Sequence, residues 1–238
     1  MRQAGARKNE IRQHSGWVIP LGFLAAILLL SGLFLGWYLR PGPKLAGGAY
    51  TGQSAVVDLH VRGVPFAVPA NYLDGAAARG GGDVDSLALA ALFPAMRGYT
   101  EADAALFHGN APDTPVVRIS LRADSVSLDG RARLARIYRP YIQGAGMAGP
   151  FGLTQYEFAR NSGYERSELF AGESGTELLL FLCEKPSPDL PSPNCIAIDR
   201  PLAEGLSYSY RFKRAWLARW REMSGGVSGL IGRLRKPD

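Results

Sequence analysis

The chain has 238 residues, of which 47% are hydrophobic, 10% aromatic and 20% charged, and its formal net charge is +6. These proportions exclude a disordered or collagen-like chain. The hydrophobic residues are unevenly distributed, and one run near the N-terminus is apolar enough to exclude a purely soluble protein. The roughly 200 residues that follow this run suit a single domain.

The N-terminal apolar run extends from Trp17 to Leu39, and 18 of its 23 positions are apolar. A helix of this length spans about 34 Å, which is enough to cross a hydrocarbon core of about 30 Å. Trp17 and the Trp37-Tyr38 pair suit the two membrane interfaces. We therefore predict a transmembrane helix over residues 17–39. A cleavable signal peptide is the alternative, because residues 46–49 are small, but signal h-regions are usually about 7 to 15 residues long.

Flanking charge predicts the orientation of this helix. The basic tail, residues 1–16, carries four basic residues against one acidic residue, whereas the other flank carries only Arg40 and Lys44 nearby. The positive-inside rule places the tail in the cytoplasm and exports the remainder of the chain across the inner (plasma) membrane, into the periplasm if the chain is bacterial.

Within the apolar run, Gly32 and Gly36 form a GxxxG spacing, which lets two membrane helices approach closely. The favoured interpretation is that the spacing is incidental, because glycine is common in membrane helices. The alternative is a helix-dimer face. The sequence leaves the oligomeric state open.

Residues 40–55 contain two prolines and four glycines, which is typical of a short linker. We assign residues 56–238 to one exported domain. Its first half shows strand alternation over 56–61 and 65–69, then two short helices over 86–96 and 101–109 that Asp85 and Thr100 could cap. A strand over 115–122 follows. A helix over 129–141 should then present Leu134, Ile137, Tyr138 and Tyr141 on one face.

The second half of the domain is predicted to be mostly β. Strand patterns over 152–158, 166–170, 176–184, 195–199 and 206–212 follow one another through short turns. Successive strands with short connections favour an antiparallel meander. We expect an α+β fold in which helices pack on an antiparallel sheet.

The chain ends in an amphipathic helix predicted over residues 213–235. Its apolar stripe comprises Trp216, Trp220, Met223, Val227, Leu230 and Leu234. Gly225 and Gly226 predict a kink or break. Residues 211–238 carry eight basic residues against two acidic ones, whereas residues 40–210 hold 15 basic and 18 acidic residues. The stripe either docks on the sheet of its own domain or binds a membrane surface or a partner helix.

The two cysteines, Cys183 and Cys195, bracket a proline-rich loop between two predicted strands. In an oxidising compartment we expect a disulfide across the mouth of this loop. Two cysteines twelve residues apart without clustered histidines do not make a metal site.

Candidate site residues are few. The exported part contains only His60 and His108 as histidines, and it lacks G-x-S-x-G, H-E-x-x-H and P-loop motifs, so we predict no catalytic residue, no metal site and no cofactor. The arginines of the 129–141 helix form either a solvated face or, with the tyrosines near it, a ligand surface for an anionic or glycan partner. This surface comprises Arg131, Arg133, Arg136, Arg139, Tyr138, Tyr141 and Tyr156.

These features predict a membrane-anchored envelope protein with a single span. We expect its exported domain to be a non-catalytic binding or accessory module for another envelope protein or an anionic lipid, and not for nucleic acid. Two alternatives remain: a hydrolase acting on an envelope polymer or ester, and a membrane-local inhibitor or immunity-type protein. A deep pocket joining a histidine to a carboxylate and a serine would favour the hydrolase.

Overall fold

We analysed a computed structural model of the chain, which describes residues 18–38, 49–124 and 126–237. These residues divide into an N-terminal unit, within 1–46, and a second unit from Gly47 onwards. The predicted cytoplasmic tail, Trp17, Leu39 and residues 40–48 of the predicted linker lie outside the described residues. Residues 49–55, the described part of that linker, form neither helix nor strand.

The first unit contains one helix, α1 (Val18–Tyr38). Its segment Ile19–Gly36 is long and apolar enough to cross a membrane, and none of it is buried within the chain. An added Cβ on Gly32 or Gly36 would meet no atom within 4 Å, so this side of α1 is open. The predicted dimer face remains a prediction.

The second unit is built on an eight-stranded antiparallel sheet in the order β4-β5-β11-β10-β9-β8-β7-β6. The strands are β4 (Ser86–Leu92), β5 (Val116–Ala123), β6 (Ile142–Ala148), β7 (Thr154–Phe158), β8 (Ser167–Ser174), β9 (Glu177–Glu184), β10 (Asn194–Ala203) and β11 (Leu206–Lys213). Strands β6 to β11 are neighbours in chain order, which confirms the predicted meander. A second sheet has the order β2-β1-β3 and comprises β1 (Val56–Val61), β2 (Val64–Pro69) and β3 (Gly82–Val84).

Residues 86–96 were predicted as a helix, and this prediction is wrong. They contain strand β4, which pairs along its length with β5. The segment is rich in Ala and Leu, which favour helices, but its alternate residues Leu87, Leu89 and Ala91 are all buried in the main core. Burial on one face of the sheet outweighs the small differences in local propensity.

The other helix predictions hold in part. Residues 101–109 form a 3-10 turn (Glu101–Asp103) and a short helix α2 (Ala104–His108). A continuous helical segment also follows Asp129, whose carboxylate accepts a hydrogen bond from the Ala132 amide at 2.7 Å. It runs as α3 (Gly130–Arg133), a π turn (Leu134–Tyr138) and a 3-10 turn (Arg139–Tyr141). Of the predicted apolar face, Tyr138 is buried, whereas Ile137 and Tyr141 are exposed.

The C-terminal segment is helical, as predicted. A 3-10 turn (Arg214–Arg219) leads into helix α4 (Trp220–Leu234), and all stripe residues within α4 are buried against the chain's own sheets. The stripe therefore docks on its own domain and is not free to enter a membrane. The break predicted at Gly225-Gly226 is wrong: α4 continues through both residues. A side chain at Gly226 would come within 2.8 Å of the Met96 Cε atom, so this glycine permits close packing.

Cys183 and Cys195 form a disulfide, as predicted. They lie opposite each other on β9 and β10, with their Cα atoms 4.0 Å apart, and both are fully buried. Pairing of the two adjacent strands brings the two thiols together. The bond closes the base of the proline-rich loop. The α+β prediction is confirmed as a whole.

Candidate functional site

The large sheet has one fully covered face and one partly covered face. Helix α4 and the small sheet pack on the first face and form the main core. The helical segment 130–141 covers part of the second face, where Tyr138 packs against Phe158 and Leu169. At one end of this second face, Tyr99 and the α2 residue Phe107 cover Ala90, Leu92 and Val116 of β4 and β5. The remaining parts of β4, β5 and β11 and the first half of β10 line a groove of about 560 Å³.

Period-2 alternation explains why this groove is polar. In β5, Val117, Ile119 and Leu121 point into the main core, so their neighbours face the opposite way. The groove is lined by Arg118, Ser120 and Arg122 from β5, Ser209 and Arg211 from β11, Ile196, Ile198 and Asp199 from β10, Leu182 from β9, Arg133 and Tyr138 from the helical segment, and Asp74. We call it the arginine groove.

Three of the four arginines in the arginine groove are held by carboxylates. Arg118 Nε lies 3.5 Å from Asp74 Oδ2, and Arg122 donates to Asp199 Oδ2 at 2.5 Å. The Arg133 guanidinium lies 3.9 Å from the same Asp199 oxygen and 3.7 Å from Asp124 Oδ2, which lies outside the groove lining. These contacts fix the guanidinium groups in position while each group retains further N–H donors.

The fourth arginine, Arg211, is exposed and has no side-chain partner within residues 49–124 and 126–237. The lining therefore contains four guanidinium groups against the two carboxylates of Asp74 and Asp199. A guanidinium group binds a carboxylate through two parallel hydrogen bonds, which gives both strength and orientation. The groove is thus positively charged and suited to anionic groups.

A smaller cavity of about 200 Å³ adjoins the arginine groove and shares Arg133, Ile198 and Asp199 with it. It lies where α3 approaches β9. An added Cβ on Gly130 would fall 1.8 Å from the Leu178 carbonyl oxygen, so only glycine permits this approach. Within the described chain, Arg133 Nε and Asp199 Oδ1 are buried atoms without hydrogen-bond partners. One donor and one acceptor between the two depressions therefore have hydrogen-bonding capacity that the described residues do not satisfy.

The predicted ligand surface is divided by the structure. Arg133 and Tyr138 line the arginine groove, whereas Arg131, Arg139 and Tyr156 line a separate shallow depression of about 390 Å³. The remaining two residues, Arg136 and Tyr141, line neither, and the Tyr141 ring packs on Tyr164 with 5.7 Å between centroids. Whether either group binds a ligand stays a prediction.

Sequence reasoning missed Arg118, Arg122, Arg211 and Asp199. The available signal was the R-I-S-L-R alternation of β5, which places two arginines and a serine on one strand face. The adjacency of β5 to β11, strands distant in sequence, could not be derived from local patterns.

Neither histidine lies in a deep polar pocket. His60 Nδ1 lies 3.7 Å from Asp83 Oδ1, and Ser86 lines the same shallow depression, but the Asp83 side chain is 95% exposed. A catalytic triad needs a buried carboxylate that orients the imidazole. His108 contacts the ring edges of Tyr50 and Tyr99. The described residues contain no group of three or more His, Cys, Asp or Glu side chains that could hold a metal.

Tyr138 lines the arginine groove and provides a test of its surroundings. Burial raises the pKa of Tyr138 to about 12. Between pH 10 and 12 the phenol is therefore ionised only in the unfolded chain, so its stability contribution is complete below pH 10 and is lost as pH rises toward 12. We expect Tyr138→Phe to match the wild type near pH 8 and to exceed its free energy of unfolding by about 2 kcal/mol at pH 11.5. Urea unfolding at both pH values measures this difference.

The matched control for this prediction is Tyr141→Phe, which changes an exposed tyrosine three residues away. This variant should follow the wild type at both pH values. Equal behaviour of the two variants at pH 11.5 would contradict the burial of the Tyr138 phenol in the folded protein.

An apolar N-terminal helix followed by a disulfide-bonded α+β domain indicates a membrane-anchored or exported protein. The sequence matches no protein-family model, and no curated protein matches it either.

Two solved structures are similar to this chain. One is an immunity protein of the Stenotrophomonas maltophilia type IV secretion system, with a TM-score of 0.58 and 20% identity over 80% of this chain and 98% of that one. The other is the iron-regulated outer membrane lipoprotein FrpD of Neisseria meningitidis, with a TM-score of 0.39 and 13% identity over 68% of this chain and 82% of that one. The first comparison shows a shared fold, and the second is too distant to support an argument.

Proposed function

We propose that this protein is an immunity-type binding module, anchored in the inner membrane by α1, whose exported domain binds and neutralises a protein that a secretion system delivers into the cell envelope. This is one of the two alternatives that the sequence leaves open, the membrane-local inhibitor or immunity-type protein. The observation that carries the proposal is the fold that this chain shares, over nearly the whole length of the other protein, with an immunity protein of a secretion system.

The open sheet face supports the same proposal. A neutralising protein acts by occupying a surface of its target and needs no chemistry of its own. The arginine groove offers charged and apolar groups on a rigid sheet that the disulfide and helix α4 hold in place. Rigid elements reduce the entropy lost on binding, which favours tight complexes.

A membrane anchor would favour neutralisation of an incoming protein. A chain confined to the membrane meets an incoming protein close to the place where it arrives, so its effective concentration is higher than that of a free protein. The predicted orientation, with the tail in the cytoplasm, puts the domain on the exported side of the membrane.

A competition assay tests the proposed function. The gene is deleted in the source bacterium, and the deletion strain is grown in contact with its parent. We expect the parent to kill the deletion strain, and we expect the full chain supplied from a plasmid to restore survival. A parent strain with a disabled secretion system should not kill.

The control for this assay is an unrelated strain that the same parent kills, which shows that secretion is active. Survival of the deletion strain beside killed control cells would overturn the proposed function.

The orientation is tested by a reporter fusion. Alkaline phosphatase is active only when exported, since its own disulfides form there. Fused after Leu45, it should be active, while a cytoplasmic reporter at the same site should be inactive. The opposite pattern of activities would reverse the proposed topology.

A further inference from the structure

We propose that the arginine groove is the docking site for an acidic, extended segment of the incoming protein, in which carboxylates and apolar side chains alternate along one face of the segment. This inference rests on the proposed function and specifies the chemistry of the partner. It is carried by the charge of the groove, the apolar residues on its floor and its concave shape.

The positive charge of the groove is local. Residues 40–210 as a whole hold more acidic than basic residues, 18 against 15, yet the groove brings together four arginines and only two aspartates. Long-range attraction of an acidic segment would therefore be directed to this face of the sheet. Screening by salt should weaken that attraction.

The arginines are arranged to bind carboxylates. Arg118 and Arg122 are oriented by Asp74 and Asp199, and their side chains remain 35% and 55% exposed. Arg211 is exposed and has no partner within the described part of the domain. A carboxylate can therefore pair with Arg211 without breaking an existing ion pair, so Arg211 should contribute most to binding.

The apolar floor supplies the second part of the recognition. Ile196 on β10 is 42% exposed, which is unusual for isoleucine, and Ile198 and Leu182 lie partly buried beside it. Ile196 and Arg211 are paired in register on β10 and β11, so their side chains lie on the same face of the sheet. In an extended segment, residues two apart point to the same side, so a carboxylate on Arg211 and an apolar contact with Ile196 can come from side chains at positions i and i+2.

The shape of the groove favours a protein segment over a lipid surface. A lipid bilayer is flat, and the guanidinium groups that line a depression cannot all reach its headgroups. Interfaces between proteins, in contrast, commonly place an arginine beside an apolar contact in a depression that excludes water. Anionic lipid is therefore an alternative outcome of the test.

A binding experiment on the full chain tests this proposal. The chain is placed in nanodiscs of neutral lipid and titrated with a labelled eight-residue peptide, Asp-Ser-Val-Ser repeated twice, which places aspartate and valine on one face when it is extended. We expect saturable binding with a dissociation constant below about 1 mM. Arg211→Glu should weaken it by about tenfold or more, and Arg211→Lys by less, because lysine keeps the charge without the two-pronged geometry.

The matched control is Arg233→Glu, which reverses the charge of an exposed arginine on α4 that does not line the groove. It should change the dissociation constant by less than about twofold. A second groove variant, Ile196→Asp, adds negative charge to the floor without removing an arginine and should weaken the peptide as Arg211→Glu does. Thermal unfolding verifies that each variant is folded.

Three results would overturn the proposal. The first is equal affinity of wild type and Arg211→Glu for the peptide. The second is that the wild type binds a matching peptide, with lysine in place of aspartate, as tightly as the aspartate peptide. The third is binding of phosphatidylglycerol vesicles through Arg211 without binding of the peptide. In the competition assay, protection by both wild type and Arg211→Glu would reject the docking role of the arginine groove and leave the proposed function in place. Failure of the wild type to protect would instead reject the proposed function.

Discussion

Replacing Trp220 with alanine is expected to lower the free energy of unfolding of the domain that follows α1 by about 3–5 kcal/mol. Trp220 begins α4, is 1% exposed and packs edge-on against Phe181 of the central sheet, with 5.7 Å between ring centroids. Its indole N–H donates to the Phe151 carbonyl at 3.2 Å. The substitution removes the largest buried side chain of the core and leaves a cavity that rigid strands cannot fill.

The backbone of β8 lies close to this ring because Gly172 has no side chain. An added Cβ on Gly172 of β8 would fall 2.7 Å from the Trp220 Cη2 atom, so the indole lies directly against the strand backbone. Urea unfolding of the detergent-solubilised chain measures the loss. Trp216→Ala is the matched control: Trp216 is only partly buried, and its removal should cost about half as much. Equal losses for the two variants would contradict the docking of α4 on its own sheet.

Removing the disulfide is expected to have the second largest effect. The chain-entropy relation for a loop of this size gives about 3 kcal/mol, which corresponds to a decrease of roughly 6–12 °C in Tm for a domain of about 190 residues. Cys183 and Cys195 are fully buried, so the double change to alanine avoids placing hydroxyl groups in the core. Thermal unfolding followed by circular dichroism measures the shift.

The single variant Cys183→Ala also opens the bond and should lose nearly as much stability as the double variant. Reduction of the wild type supplies an independent control, since it removes the bond without changing side-chain volume. An unchanged Tm in all three cases would show that pairing of β9 with β10 alone holds the loop.

Most strands were predictable because their signals are local. In the second half of the chain, apolar alternation and short polar joins recur at regular spacing, and β7 to β11 appear where the pattern places them. Strand β6 gave no signal, because its two glycines with positive φ, Gly144 and Gly146, carry no side chains that could alternate. Strand β4 was predicted as a helix because Ala and Leu favour helices in isolation and only its pairing with β5 decides otherwise.

The disulfide was predictable and the arginine groove was not, for one physical reason. Cys183 and Cys195 end and begin consecutive strands, so sequence order alone places them opposite each other. Arg118 and Arg211 are equally close neighbours in register, but they lie on β5 and β11, which are separated by five strands of the chain. Side chains that meet through such long-range pairing leave no local pattern from which their proximity could be inferred.

Binding of a protein delivered by a secretion system to the domain that follows α1 is tested most directly in cells that are exposed to secreting attackers. The full chain is tagged, recovered from solubilised membranes of recipient cells, and its bound proteins are quantified. We predict one secreted protein in about equimolar amount, present only after contact with secretion-competent attackers and lost with Arg211→Glu. Recovery of the chain alone from recipients, while unprotected cells in the same culture are killed, would contradict the proposed binding of a secreted protein.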